Sequence, residues 1–126
     1  MATAPNTFAP EDGELLPETI GTNRLPVERF FEALVRFSGS DLHLKVGRPP
    51  MLRIRGAMQP IKHPPIEADE MQRLLEPLLD ERRRTLLARD GGVDFAHATN
   101  VAGVPTRFRI NLLKQQGVWG LVARRV

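Results

Sequence analysis

The chain of 126 residues contains no cysteine. That one absence excludes disulfides, thiolate zinc sites and cysteine nucleophiles. Tyrosine is missing too, and six Phe with a single Trp bring aromatics to only 6%, a poor supply for the stacking platforms that hold single-stranded nucleic acid. No apolar run approaches the roughly 18 residues of a membrane span, so membrane insertion is not expected. The amino terminus has neither an early Lys or Arg nor an apolar segment of signal-peptide type, which points to a cytoplasmic address. Histidine is sparse, and His43, His63 and His97 lie too far apart for a metal-ligand pattern.

Charge is present in both signs but unevenly placed. Residues 1 to 23 hold four acids and no Lys or Arg, whereas residues 95 to 126 hold five bases and no acid. An anion-binding surface therefore belongs at the carboxy-terminal end. The net charge of +3 and a pI near 10.2 keep weak nucleic-acid binding as a third-ranked function, without any reader motif to support it.

The first 23 residues, with Pro5, Pro10, Pro17, Gly13 and Gly21, read as a flexible acidic leader without a sustained apolar period. From residue 24 onward the chain has room for one domain and one core. Val27, Phe30, Phe31, Leu34 and Val35 fall at helical spacing after Pro26, with Glu28, Arg29, Glu32 and Arg36 on the opposite face and Gly39 as the expected stop. Leu42, Leu44 and Val46 then alternate with Asp41, His43 and Lys45, the period of a strand with one buried face. This places His43 on a polar surface, while Ser40 and Asp41 read as turn or capping residues.

Pro49-Pro50 breaks that strand, and a second follows over Leu52 to Ile54. Gly56-Ala57 is expected to turn into a third around Met58 to Ile61. Residues 67 to 76 read as a helix, and Asp80 caps another running through Leu87. That second helix carries Arg82-Arg83-Arg84, read as a solvated face or a protein contact. A strand is expected over residues 93 to 98, then a loop containing Asn100, Gly103 and Pro105. A hairpin over Thr106 to Gln115 and Val118 to Val126 closes the chain. The sum is an α+β domain with a mostly antiparallel sheet of about five to six strands and helices packed on it.

The terminal hairpin permits a stronger deduction. With Gln116-Gly117 as its two-residue loop, Arg109 lies directly opposite Arg124. Phe108, Ile110 and Leu112 then share one face with Leu121 and Ala123, and Arg107, Arg109, Asn111 and Arg124 share the other. Trp119 falls beside Lys114. Two like charges facing each other cost about 0.2–1 kcal/mol, and something negative would relieve that cost: an earlier Asp or Glu, a partner subunit or a bound phosphate. An exposed basic face is the alternative, and the residues alone do not separate the two.

Two blocks carry a family resemblance. Gly39-Ser40-Asp41-Leu42-His43-Leu44 with Gly47-Arg48-Pro49-Pro50-Met51, and then Val93-Asp94-Phe95, Arg107-Phe108-Arg109-Ile110-Asn111, Gly120 and Arg124-Arg125-Val126, resemble in order and spacing the amino-terminal, PAS-like domain of the type IV pilus retraction ATPases, in the type II/IV secretion ATPase superfamily. The resemblance spans roughly residues 26 to 126. It implies a hexameric ring in twitching motility or secretion, in which this domain packs on a neighbouring subunit and Arg109 and Arg124 reach the phosphates of ATP held by a RecA-like domain.

ATP and magnesium would be the cofactors of the complete protein, and inner-membrane platform proteins its partners, with the chain cytoplasmic or peripheral to that membrane. Two departures qualify this. The family often has another arginine at the hairpin tip, where this chain has Gln116-Gly117. No G-x-x-x-x-G-K-[ST] loop is present, so the chain is expected to be a fragment lacking the RecA-like domain, without ATPase activity or cofactor of its own. A stand-alone interaction or regulatory module for such an ATPase is the alternative, motivated by the acidic leader and by Arg82 to Arg84.

Overall fold

A computed structural model describes residues 25–126, so the leader expected over residues 1 to 23 lies outside the described residues. The first helix, α1 (Glu28–Arg36), forms where the three-and-four spacing of apolar residues begins, and it buries Phe30, Phe31, Ala33 and Leu34. Its end closes in a Schellman pattern. Gly39 N–H donates to Leu34 O at 2.8 Å and Ser38 N–H to Val35 O at 3.0 Å, with Ser38 itself in the left-handed region at φ 57°. The left-handed residue is thus Ser38 and not the expected Gly39. Gly39 is required for room instead, since a Cβ there would lie 2.9 Å from Leu34 Cδ1 and 3.0 Å from the carbonyl oxygen of Arg53.

Six strands follow in two groups of three. β1 (Asp41–Lys45), β2 (Met51–Ile54) and β3 (Ala57–Pro60) form one meander, and β4 (Gly92–Val101), β5 (Val104–Gln115) and β6 (Val118–Arg125) form another. All pairings are antiparallel. The sheet order β3-β2-β1-β6-β5-β4 joins the meanders along a single seam, β1 against β6. Between them in sequence run α2 (Ala68–Leu75), a 3-10 turn at Glu76–Leu78 that contains Pro77, and α3 (Glu81–Asp90). Asp80 caps α3 as expected, its carboxylate accepting from Arg83 N–H at 2.7 Å, and the helix runs three residues past Leu87 to a left-handed Gly91.

Each of three hairpins turns on two residues with positive φ: Arg55-Gly56, Ala102-Gly103 and Gln116-Gly117. These are type I′ turns, whose twist matches that of the strands they join. The β2–β3 turn therefore comes one residue before the expected Gly56-Ala57. β4 also runs further than the expected residues 93 to 98, taking in Asn100, which pairs with Pro105. Pro105 fits because Asn100–Pro105 is the second pair from the two-residue turn, a non-hydrogen-bonded pair whose backbone groups point away from the hairpin partner. On that side β6 has already ended, pairing with β5 only from Phe108 onward, so no ladder hydrogen bond is lost.

All three helices lie on one face of the sheet. Leu42, Leu44, Phe108, Ile110, Leu112, Leu121 and Ala123 point toward them and are buried. Trp119 joins this core, with Lys114 Nζ 5.1 Å from its ring centroid. Glu28 departs from the expected solvent face of α1. It is 7% exposed, its carboxylate hydrogen-bonded to His97 Nε2 at 2.9 Å and accepting from Thr99 Oγ1 at 3.1 Å. The first turn of a helix favours a negative charge there.

Replacing Gly39 by Ala should destabilise the domain by about 1–3 kcal/mol, because the new methyl meets the Arg53 carbonyl oxygen as well as the tip of the fully buried Leu34. Urea denaturation of the two proteins measures it. A loss below about 0.5 kcal/mol would mean that the crossing of α1 and β2 yields easily.

Candidate functional site

The helix-free face of the sheet carries the charges. Strand register sets them in rows: Met58, Arg53, Asp41, Arg124 and Arg109 follow one another across β3, β2, β1, β6 and β5, and Met51, His43, Val122, Asn111 and Asp94 form the next row from β2 to β4. The deduced pairing of Arg109 with Arg124 is present, and the apolar partners assigned to the opposite face are buried there.

What relieves Arg124 is an acid from the far end of the chain. Arg124 Nε donates to Asp41 Oδ2 at 3.2 Å, while Ser40 Oγ donates to Asp41 Oδ1 at 2.6 Å and Arg53 Nε lies 4.0 Å from that same oxygen. Asp41 is only 5% exposed although it belongs to the open face, because these neighbours cover it. The turn or capping role expected for Asp41 is therefore corrected to that of a buried strand acid. Hairpin register alone could have placed Arg53 beside it, but the approach of Arg124 depends on β1 meeting β6.

Arg109 has no ion-pairing carboxylate among the described residues. The nearest acid on β4, Asp94, instead accepts from Asn111 Nδ2 at 2.7 Å. The facing arginines thus differ: Arg124 is tied to Asp41, and exposed Arg109 is available to an external anion. The hairpin tip offers no third cation, since its residues are Gln116 and Gly117.

Other sequence candidates fall outside this arrangement. Arg83 is half-buried, its guanidinium 4.1 Å from the Phe95 ring centroid and donating to Leu78 O at 2.9 Å, and Arg84 pairs with Glu76 at 3.5 Å. Two members of the arginine run are therefore engaged within the fold. His97 belongs to the Glu28 cluster, and no group of three or more potential metal ligands occurs among the described residues. His43 is half-buried rather than freely exposed.

Burial favours the neutral form of Asp41, but hydrogen bonds from Ser40 and Arg124 and the charges of Arg124 and His43 outweigh it and hold the carboxyl below its ordinary value. Burial also lowers His43, where the upward pull of Asp41 is offset by the charges of Arg53 and Lys45.

These features meet the comparisons with known proteins. No family model matches the chain. The type IV pilus retraction ATPase PilT of Pseudomonas aeruginosa is 34% identical over 87 residues, covering 69% of this chain and 24% of PilT. The type IV pilus ATPase PilU of the same organism is 26% identical over 99 residues, covering 79% of this chain and 25% of PilU. A crystal structure of the pilus retraction motor PilT with bound ADP superposes with a TM-score of 0.68 at 30% identity, over 81% of this chain and 29% of that one. The chain matches the amino-terminal domain of the type IV pilus retraction ATPase PilT.

The ATPase DotB of Legionella pneumophila shares the fold at a TM-score of 0.66 and 20% identity, over 83% of this chain and 30% of that one. The chain spans about a quarter of the length of the curated pilus ATPases it matches. Its α+β architecture, a six-stranded antiparallel sheet with three helices, is that of the amino-terminal domain of PilT.

Both depressed pKa values fix a pH dependence. A group whose value is lowered by folding adds stability that is complete above its unfolded value and is lost as pH falls through the folded one. Stability should therefore hold at neutral and alkaline pH, decline first below about 6.5 as His43 is forced to charge, and decline again below about 3.8 as Asp41 is protonated. Asp41→Asn should shrink the second stage, to which exposed Asp90, held low by its hydrogen bond from Arg89, also contributes, and should cost about 1–3 kcal/mol at pH 7. Urea denaturation across the pH range resolves both stages.

Proposed function

We propose that this chain acts as the amino-terminal domain of a type IV pilus retraction or related secretion ATPase, lending arginines to the phosphates of ATP held by a RecA-like domain. The observation that carries this reading is the asymmetric pair on β5 and β6. Arg124 is oriented by Asp41, while Arg109 faces it with no carboxylate of its own among the described residues. A phosphate between them would relieve their repulsion, and a guanidinium fork suits it with two parallel charge-assisted hydrogen bonds. The superposition on PilT, determined with ADP, supports a nucleotide as the anion.

In this reading the domain works by packing between subunits of a hexameric ring and by responding to nucleotide, with no hydrolysis of its own. Magnesium and the water-activating groups would come from the RecA-like domain. The described residues include no helix long and apolar enough to cross a membrane. We place the domain on the cytoplasmic side, beside the inner-membrane platform of a pilus or secretion system.

The test joins the chain to the RecA-like domain of PilT and titrates ATP into it. Arg109→Ala and Arg124→Ala should each weaken binding by about 10- to 100-fold, the loss of a charge-assisted contact worth about 1.5–3 kcal/mol, with the fold intact by circular dichroism. Unchanged affinity in both variants would overturn the assignment. The chain alone should hydrolyse no ATP above the buffer rate.

A further inference from the structure

A second cationic feature on the same face is not used by that reading. His43 and Lys45 of β1, Arg48 of the β1–β2 turn, Met51 and Arg53 of β2, and Met58 of β3 line a concavity of about 240 Å³. Three side chains with fixed positive charge and one imidazole thus surround a space whose remaining walls are two thioethers. Among the described residues, no carboxylate lies within ion-pairing distance of Lys45 or Arg48. Arg53 is held in place by a hydrogen bond from Nη1 to Gly56 O at 3.2 Å, and its Nε lies 4.0 Å from Asp41.

The cluster is fixed by the backbone around it. Gly47 N–H donates to Ile66 O at 2.8 Å and Ile66 N–H to Arg48 O at 3.0 Å, so the turn that carries Arg48 is pinned to the chain leading into α2. Lys45 and His43 are two residues apart on one strand and project to the same face, and Met51 sits directly across from His43. Lys45 and Arg48, without a carboxylate of their own, and Arg53, whose Asp41 is shared with Arg124, repel one another on a pinned framework, and a multivalent anion offsets that repulsion. The volume lies below the roughly 300–1,000 Å³ of drug-sized sites, which limits the occupant to a body on the order of ten heavy atoms.

We propose that this concavity is an anion site for a small soluble phosphate ester, the phosphoryl group held by Lys45, Arg48 and Arg53 and the apolar body resting on Met51 and Met58. Arginine and lysine differ usefully here: the Arg53 and Arg48 forks can engage two phosphoryl oxygens, and Lys45 supplies a point charge. Soft, flexible methionine surfaces accept a range of apolar substituents.

His43 reports on the site. The charged groups around it are Asp41 and Lys45 on its own strand, Arg53 on β2, Arg48 on the turn and Arg124 on β6. A dianion among them adds negative charge near the imidazole and favours its protonated form. Occupancy must therefore raise the pH at which His43 titrates, and protonation must tighten binding in turn.

The experiment uses the chain as it is, with phenyl phosphate as the probe and proton NMR as the readout. The imidazole signal of His43 and the methyl signals of Met51 and Met58 should shift saturably at pH 7, while those of half-buried His97 and buried Met71, on the other side of the sheet, stay still. The His43 titration midpoint should rise on saturation. The double variant Lys45→Ala, Arg48→Ala should bind at least about tenfold more weakly, with unshifted His97 and Met71 signals showing that it has folded. Inorganic phosphate, lacking the apolar body, should bind severalfold more weakly than phenyl phosphate.

No saturable shift at His43 by about 10 mM probe, or equal binding by the double variant, would overturn the site. Displacement of phenyl phosphate by phosphatidylglycerol vesicles would overturn the soluble source and assign the anion to a lipid headgroup. None of these measurements involves Arg109 or a RecA-like domain, so they stand or fall separately from the ATP reading.

Discussion

The seam between β1 and β6 is the constraint on which the rest of the domain depends. Each meander is built from local hairpins, and neither alone has the layers needed to bury its apolar face. Five register pairs, from Asp41 opposite Arg124 to Lys45 opposite Gly120, join them into one sheet. Gly120 sits where a Cβ would be 3.2 Å from the carbonyl oxygen of Leu44, so the strands approach closely at that end. The seam brings together residues about 80 positions apart, a long loop closure that must be offset by hydrophobic burial. Leu42 and Leu44 against Ala123 and Leu121, all nearly inaccessible to solvent, provide that burial.

The same seam decides how charge is distributed on the open face. Without it, Arg124 would face only Arg109, two cations across a strand pair with no nearby acid. By carrying Asp41 to the flank of Arg124, the seam neutralises one arginine and leaves the other. The acid can remain ionised while buried because Ser40 and Arg124 both donate to it, which meets the requirement that a buried charge be paired and hydrogen-bonded. Glu28 meets that requirement on the helical face through His97 and Thr99. The two buried acids thus fasten different junctions, Asp41 that of β1 with β6 and Glu28 that of α1 with β4.

Much of this was legible in the residues, and the exceptions share a cause. The terminal hairpin could be registered residue by residue because period-two alternation and a two-residue loop leave little freedom, and that placed Arg109 opposite Arg124. Local chemistry also gave the Asp80 cap, the Lys114–Trp119 contact and the α+β class. The two family blocks gave the relationship to pilus ATPases. The misreadings required knowledge of what lies beside an element. Glu28 falls on the polar side of the helical wheel, yet β4 covers that position. Pro105 reads as a strand breaker, yet the end of β6 leaves its missing N–H without consequence. Asp41 reads as a turn residue until β6 is known to pass it, and the Arg82 to Arg84 run reads as a surface until Phe95 is seen beneath Arg83.

The open face follows from the same alternation that fills the core. Through the middle of the seam strands and their neighbours, alternate residues are Leu, Ile, Phe or Ala, and the residues between include Arg53, Asp41, His43, Lys45, Asn111, Arg109 and Arg124. A second helical layer over those residues would have to desolvate several cations with a single central acid to pair them, at a cost of several kcal/mol per uncompensated charge. Antiparallel sheets can leave one face to water, and the charge of this one makes covering by an apolar layer unfavourable. What can cover it is chemistry of opposite sign. Asp41, placed between Arg53 and Arg124, satisfies the middle of the row, with Arg109 beyond it on one side and Lys45 and Arg48 beyond it on the other. The open face is therefore divided by its own buried acid into two regions with unmet positive charge, one on β5 and β6 and one on β1, β2 and the turn between them.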